Sequence, residues 1–474
     1  MGRTAASVSS EVLESRGIDH IPEGERRGHA WHLLTFWGAS NVQILAISVG
    51  VLAVVLGLNL TWAIVTIVVG NALGGIYMAL HSAQGPRLGL PQMMQSRAQF
   101  GMYGAALPNA IVVIMYIGYF VSSAILGGQA ISALFHITTA EGIIVANAFV
   151  LALVIFGYQL FHHYNRYVSV VSLAVFLAIL AKLVTMLPAH LPAGHNSAGV
   201  ILLAISIFVS WQVTWAPYVS DYSRYLPKDT SATATFLYTY LGSVLGGSLV
   251  MSIGAIAAVV SLHGVTVNAP AYLGGLFGVS WLFLIIFILG VGSGNLGNLY
   301  GPFLTFHAII SPSGSLANKD TGKVSRAVTT TVIAAVGTVI AILASANFIT
   351  ELTNFLSFIL YLLIPWTAIN LTDFYLIRHG HYDVAEMYKV DGAYGKANWL
   401  ALVIYAVTVG VEIPFMNSAI YEGPVARALG GADITWIVGF VFAVVVYYLG
   451  ARLSGSRASA GSGAETSPAL GASS

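Results

Sequence analysis

The stretch WGASNVQ, residues 37–43, lies inside the first long apolar run of the chain and is small and polar where a buried helix would be oily. Its reading decides the fold. Five apolar runs later, SWQVTWAPYVSDY (210–222) interrupts another run in a similar way, with Pro217 removing a backbone donor and Asp221 near the run's end. Transporters built from inverted repeats break a helix at corresponding places in their two halves and hold the solute at the breaks. An odd number of spans per copy inverts the second copy. The pair of interruptions therefore predicts a five-plus-five inverted repeat, although two unrelated proline kinks would leave a similar trace.

Composition supplies the solvent. Hydrophobic residues make up 57% and charged residues 8%, against about 25% charged in a soluble domain. Mean hydropathy is +0.82. Only a bilayer tolerates such a chain. The net charge of +1 offers no footprint for nucleic acid, and the absence of cysteine excludes disulfides, thiolate metal sites and thiol catalysis. Apolar runs long enough to cross a membrane fall at 33–57, 60–82, 106–134, 142–161, 166–187 and 200–225. Six more fall at 234–261, 280–310, 325–343, 351–377, 397–415 and 433–453. The expectation is an all-α polytopic membrane protein with twelve spans, spans 1 and 6 being discontinuous and spans 11 and 12 outside the repeat. Residues 1–30 read as a cytoplasmic segment without a signal-peptide cleavage pattern, 31–453 as the transmembrane domain and 454–474 as a low-complexity, disordered cytoplasmic tail. Of the nineteen lysines and arginines, seventeen fall on one side of this topology, with Arg427 opposite and Lys182 inside span 5. Both termini are therefore expected in the cytoplasm.

Polar residues within the oil carry the chemistry. ILGVGSGNLGNLYG (288–301), in span 8, contains GSGNLG, which satisfies G-x-G-x-x-G. As a dinucleotide motif it fails, because no strand precedes it and no soluble helix follows. The spacings Gly290/Gly294 and Gly297/Gly301 suit close helix packing. They leave Asn295 and Asn298 unexplained, since an unpartnered amide in hydrocarbon costs a few kcal/mol. Each must face a partner, a cavity or a ligand. Trp211, Trp215 and Tyr119 could stack on a planar heteroaromatic ring for about 1–3 kcal/mol per face, and Asn or Gln amides can read a base edge. Taken singly, each aromatic reads first as a packing or interfacial residue. His162 and His163 have no metal-ligand spacing, and no ring of like charges suggests a pore. Asp221, Asp373, Glu412 and Glu351 are scattered near helix ends and form no catalytic set, so an enzyme is not expected.

Three segments carry a family likeness. GLPQMMQSRAQFGMYGA (89–105) resembles the signature loop of the nucleobase:cation symporter-1 family, WAPYVSDYSRYLP (215–227) the end of helix 6 in its purine–cytosine permease branch, and NLGNLYG (295–301) the helix 8 pattern of that branch. The resemblance implies a LeuT-type fold and cation-driven uptake of a nucleobase or related heterocycle, cytosine or a purine first, with no cofactor. It implies that Gln43 faces substrate, that Tyr119 stands where relatives commonly carry tryptophan, and that Ser123 stands where they carry Asn or Gln. Trp211 or Trp215, with a lean to Trp215, supplies the stacking ring, and Asn295 and Asn298 hydrogen-bond the base. A coupling sodium would fall at Ala39, Val42, Gly290 and Ser293. The hydroxyl pair usual in sodium-coupled members is here Ser293-Gly294, one oxygen short, and Lys182 is a candidate to replace the ion in a proton-coupled mechanism. The expected partners are the heterocycle and the lipid of the cell membrane, with no nucleic acid and no obligate protein. An amino-acid transporter of the same fold is the rival, while a receptor or scaffold would need longer loops.

Overall fold

A computed structural model describes residues 17–156, 158–310 and 319–453. The 454–474 tail and residues 1–16 lie outside the described residues, as do the side chains of His162 and His163. Among the described residues the regular structure is helical, apart from one isolated bridge between Asn417 and Glu422.

α1 (His32–Ser40) and α2 (Ile44–Val55) share the first apolar run, and α3 is Leu60–Ser82. A polar helix, α4 (Gln92–Phe100), precedes α5 (Ala106–Phe135), α6 (Thr139–Phe156) and α7 (Tyr158–Thr185). α8 (Ala198–Val213) and α9 (Ala216–Ser223) carry the second interruption, and α10 is Ala232–Val260. α11 (Leu262–Gly275), α12 (Ser280–Ile310), α13 (Lys319–Ala344), α14 (Phe348–Leu371), α15 (Trp399–Glu412) and α16 (Thr435–Leu453) complete the order. Among the described residues, by length and composition, eight helices can cross a membrane, nine if α1 and α2 count as one bent span, with shorter apolar helices at Thr139–Ile155 and Trp399–Phe415. The chain is a multi-pass membrane protein.

The two interruptions differ. α1 and α2 meet at 65°. Gln43 is extended there (φ −145°, ψ 150°), and the Asn41 side chain donates back to Trp37 O at 2.8 Å, closing α1 from within. By contrast, Ala198–Ser223 continues as one 26-residue apolar helix. Thr214 and Trp215 stay in the right-handed helical region, and Pro217 falls in the first turn of α9, where its missing N–H costs little. Pro217 opens a helical segment rather than unwinding one.

Packing sorts the helices into groups. α10 lies on α1, α2 and α3, and α8 lies on α3. Gly50 and Gly254 let α2 and α10 approach backbone to backbone: a Cβ on either would collide with Met251 or Ile47 main chain. A second group joins α5 to α6, α12 and α13. α14 bridges them, packing on α8 and α5.

Two elements have no counterpart in the sequence reading. α4, read as part of a loop, is a helix whose nine residues are all buried. α11 is two short helices joined at Asn268 (φ −151°, ψ 86°). Three of the charges counted for topology are also internal: Arg26 donates to Ile21 O and Pro86 O, Arg97 to Met387 O, and Arg224 to Gly17 O and Asp19 O. These guanidiniums tie residues 17–26 and the loop after α14 to the helix ends.

Candidate substrate site

The site lies where the bend of α1/α2 meets α5, α8 and α12. Trp211 is buried, and its indole N–H donates to Asn41 Oδ1 at 2.8 Å. Around it, Tyr119 meets it edge-on at 5.8 Å and Trp215 at 5.9 Å. Tyr119 OH shares a 2.6 Å hydrogen bond with Thr214 Oγ1, and Phe355 of α14 packs against the Tyr119 ring at 5.1 Å. Trp215 is half-buried, with an indole nitrogen that is buried and unpartnered. Trp211 is thus held by the scaffold, whereas Trp215 has polar capacity to spare.

On α12 the two amides divide the work. Asn295 is fully buried; its Nδ2 donates to Phe120 O at 3.2 Å, and its Oδ1 accepts from Asn298 Nδ2 at 3.2 Å. Asn298 is half-buried. Asn295 therefore orients Asn298, which meets the open side. Gly294 and Gly297 are exposed on this helix. A Cβ at Gly294 would stand 3.3 Å from Gln43 Oε1, and one at Gly297 would meet nothing within 4 Å. Close approach therefore explains some of these glycines: Gly301 is tight against the Tyr116 ring and Gly294 against Gln43, while Gly297 and Gly290 have room to spare.

Gln43 donates Nε2 to Ser40 O at 3.1 Å and points its oxygen toward Gly294 of α12. Ser123 is buried on α5, one turn beyond Tyr119. Of the candidate cation set, Val42 and Gly290 line a cavity of about 10 Å³, roughly the room one water needs. Ser172 of α7 lines it too, its hydroxyl 3.6 Å from where a Gly290 Cβ would stand. Ala39 O accepts from Val42 N at 2.9 Å, and Ser293 is half-buried. Lys182 is not there. It is exposed, ten residues along α7 from Ser172, which is about 15 Å at the helical rise. An ammonium on a four-carbon stem does not span that distance, so Lys182 as a stand-in for the ion is corrected.

Sequence reasoning missed the polar network behind the site. Asn41 Nδ2 donates to Ser243 Oγ at 3.2 Å, Ser243 Oγ to Gln212 Oε1 at 2.7 Å, and Gln212 Nε2 to Asn71 Oδ1 at 2.6 Å. All four residues are buried, and together they join α1, α3, α8 and α10. Gln212 and Asn71, amides within apolar runs, were the available signal. The arrangement offers aromatic rings and amides, with no nucleophile–base pair among the described residues of the site.

Residues 20–439 match the family model described as "Permease for cytosine/purines, uracil, thiamine, allantoin". The chain belongs to this family. It is 42% identical over 443 residues to YxlA of Bacillus subtilis (strain 168), which carries a provisional purine-cytosine permease name, covering 92% of this chain and 95% of that one. It is 26% identical to the purine-cytosine permease fcyB of Emericella nidulans, over 94% of this permease and 89% of the relative. Its fold is similar to inward-facing Mhp1 (TM-score 0.75, 18% identity, 92% of each chain). It is also similar to closed Mhp1 with bromovinylhydantoin bound (TM-score 0.73, 19% identity, 93% of this chain and 96% of that one). Relatives of this kind are permeases, not enzymes.

Proposed function

We propose that this permease imports a nucleobase-class heterocycle, cytosine or a purine first, by alternating access coupled to a cation. The observation that carries the reading is the pairing of an aromatic with a buried, unpartnered indole N–H, Trp215, with a half-buried amide held in place by Asn295, Asn298. A planar heterocycle would lie on Trp215 and present its donor–acceptor edge to Asn298 and Gln43. Under the same reading α1/α2 through α7 and α8/α9 through α14 are two inverted five-span copies. Twelve crossings result if α6 and α15 also span and if α13 and α14 each cross. The separate packing of α1–α3 with α8–α10 and of α5–α6 with α12–α13 supports that grouping. Residues 31–453 then form the transport domain in the cell membrane, with both ends cytoplasmic by the distribution of Lys and Arg.

An amino-acid substrate is less favoured, because a carboxylate would need free amides at the helix break. Here Asn41 N donates to Gly38 O, Val42 N to Ala39 O and Gln43 N to Asn41 O. The cavity beside Val42, Gly290 and Ser172 suits a small ion, sodium included, while a proton needs no cage. Uptake of radiolabelled cytosine, adenine, allantoin and leucine by proteoliposomes tests the reading. Saturable uptake of a heterocycle is expected, and leucine uptake alone would refute it.

A further inference from the structure

Behind α14, far along the chain from the groove, sits a carboxyl that the substrate site does not use. Glu412 is the last residue of α15 and is fully buried. Both of its carboxyl oxygens are buried without a hydrogen-bond partner. The fold makes room for it: Gly439 of α16 faces it, and a Cβ there would collide with Glu412 Oε1. The groups that face it are Asp433, ahead of α16, and Tyr405 on its own helix. Neither is a cation.

Asp433 is the opposite kind of carboxyl. It is buried, but Thr435 donates both N and Oγ1 to its Oδ1, while Asn417 N and Tyr361 OH donate to its Oδ2. Four donors and no acceptor define a carboxylate. A second buried charge near it, its oxygens without a hydrogen-bond donor and no cation facing it among the described residues, is not sustained. Glu412 therefore carries a proton in this arrangement.

The pair touches the helix that covers the substrate site. Tyr361 belongs to α14, and Asp433 O accepts from Ser206 Oγ of α8 at 2.7 Å. Further along the same face, Ser210 of α8 donates to Leu356 O, and Phe355 covers Tyr119 and Gly118. We propose that Glu412 is a proton-binding site whose neutral form latches α14 against α8 and over the substrate site. Loss of the proton sets a second buried negative charge within electrostatic reach of Asp433, loosens the hold of Asp433 on Tyr361 and frees α14. The meaning of this latch in a transport cycle rests on the permease reading above.

The chain has no cysteine, so a single Phe355→Cys reporter on α14 is clean. In sealed vesicles, its reaction with a membrane-impermeant maleimide is measured from mildly acidic to mildly alkaline pH, corrected by the same thiol in unfolded chain. The corrected rate should rise several-fold with pH, and should be low and flat when Glu412→Gln is added. A flat rate with Glu412 present, or an unchanged rise in Glu412→Gln, overturns the proposal. Should Glu412→Gln fail to fold, Glu412→Asp with an infrared titration of the unsubstituted protein replaces it: the absence of a protonated buried carboxyl overturns the proposal. Radiolabelled cytosine counterflow, run in parallel, reports separately on the transport reading and can fail while the pH response stands.

Discussion

The two interruptions that look alike in sequence, WGASNVQ and SWQVTWAPYVSDY, behave differently in space. The first produces a 65° bend with an extended residue at its centre; the second leaves Ala198–Ser223 continuous. The difference lies in where the polar groups point. In the first, Asn41 turns back to Trp37 O and outward to Ser243, so the chain end of α1 is fixed by side-chain bonds. In the second, Gln212 points away from its own helix into α3 and α10, Thr214 bonds back to Trp211 O, and Pro217 sits where a helix tolerates it. A polar interruption marks a place where partners gather. Whether the backbone breaks there depends on which partners it finds.

The largest effect that would break this comparison is at Asn41. Asn41→Ala strands the buried Trp211 indole N–H and removes the tie to Ser243, at a cost of about 3 kcal/mol. The thermal unfolding midpoint of the detergent-purified protein should fall clearly. An unchanged midpoint would mean that the bend is held by something else. A smaller effect is expected on the far side of the comparison. Trp215→Phe should keep substrate affinity, whereas Trp215→Ala should lose about 1–3 kcal/mol of it with little change in stability. Trp211→Ala should instead lower stability, and the reverse pattern would move the stacking role to Trp211. The smallest effect belongs to Pro217→Ala, expected within about 0.5 kcal/mol by denaturation and neutral in transport. A large loss would show that the proline shapes the segment after all.

The helical spans were legible because burial in lipid demands long apolar runs, and the described helices fall on those runs to within a few residues at most ends. α4 was not legible. Its residues Gln92, Gln95, Ser96, Arg97 and Gln99 look solvated, yet they are buried by pairing with one another and with distant groups. Gln84 Nε2 donates to Asn370 Oδ1 at 2.9 Å, Asn370 Nδ2 to Gln99 Oε1 at 3.2 Å, and the Trp366 indole to Ser96 Oγ at 2.9 Å. No local pattern announces partners nearly three hundred residues away. Trp211, Trp215, Asn295 and Asn298 were readable as polar or aromatic residues in oil, but which of each pair faces outward was not. That depends on neighbours such as Phe120 O and Asn41 Oδ1. Lys182 misled because its depth within a run says nothing about which side of the helix it occupies.

The central proposal is that Trp215 and Asn298 together hold a nucleobase-class ring, with Asn298 in direct contact and Asn295 positioning it. Equilibrium binding of radiolabelled cytosine to the purified protein, beside Asn298→Ala and Asn298→Asp, tests this most directly. Saturable binding is expected, weakened about five- to 150-fold in Asn298→Ala, as the loss of a desolvated hydrogen bond worth about 1–3 kcal/mol requires. The thermal midpoint of Asn298→Ala should fall by less than that of Asn41→Ala, since only Asn295 Oδ1 loses its donor. Cytosine binding with an unchanged dissociation constant in both variants would contradict the account.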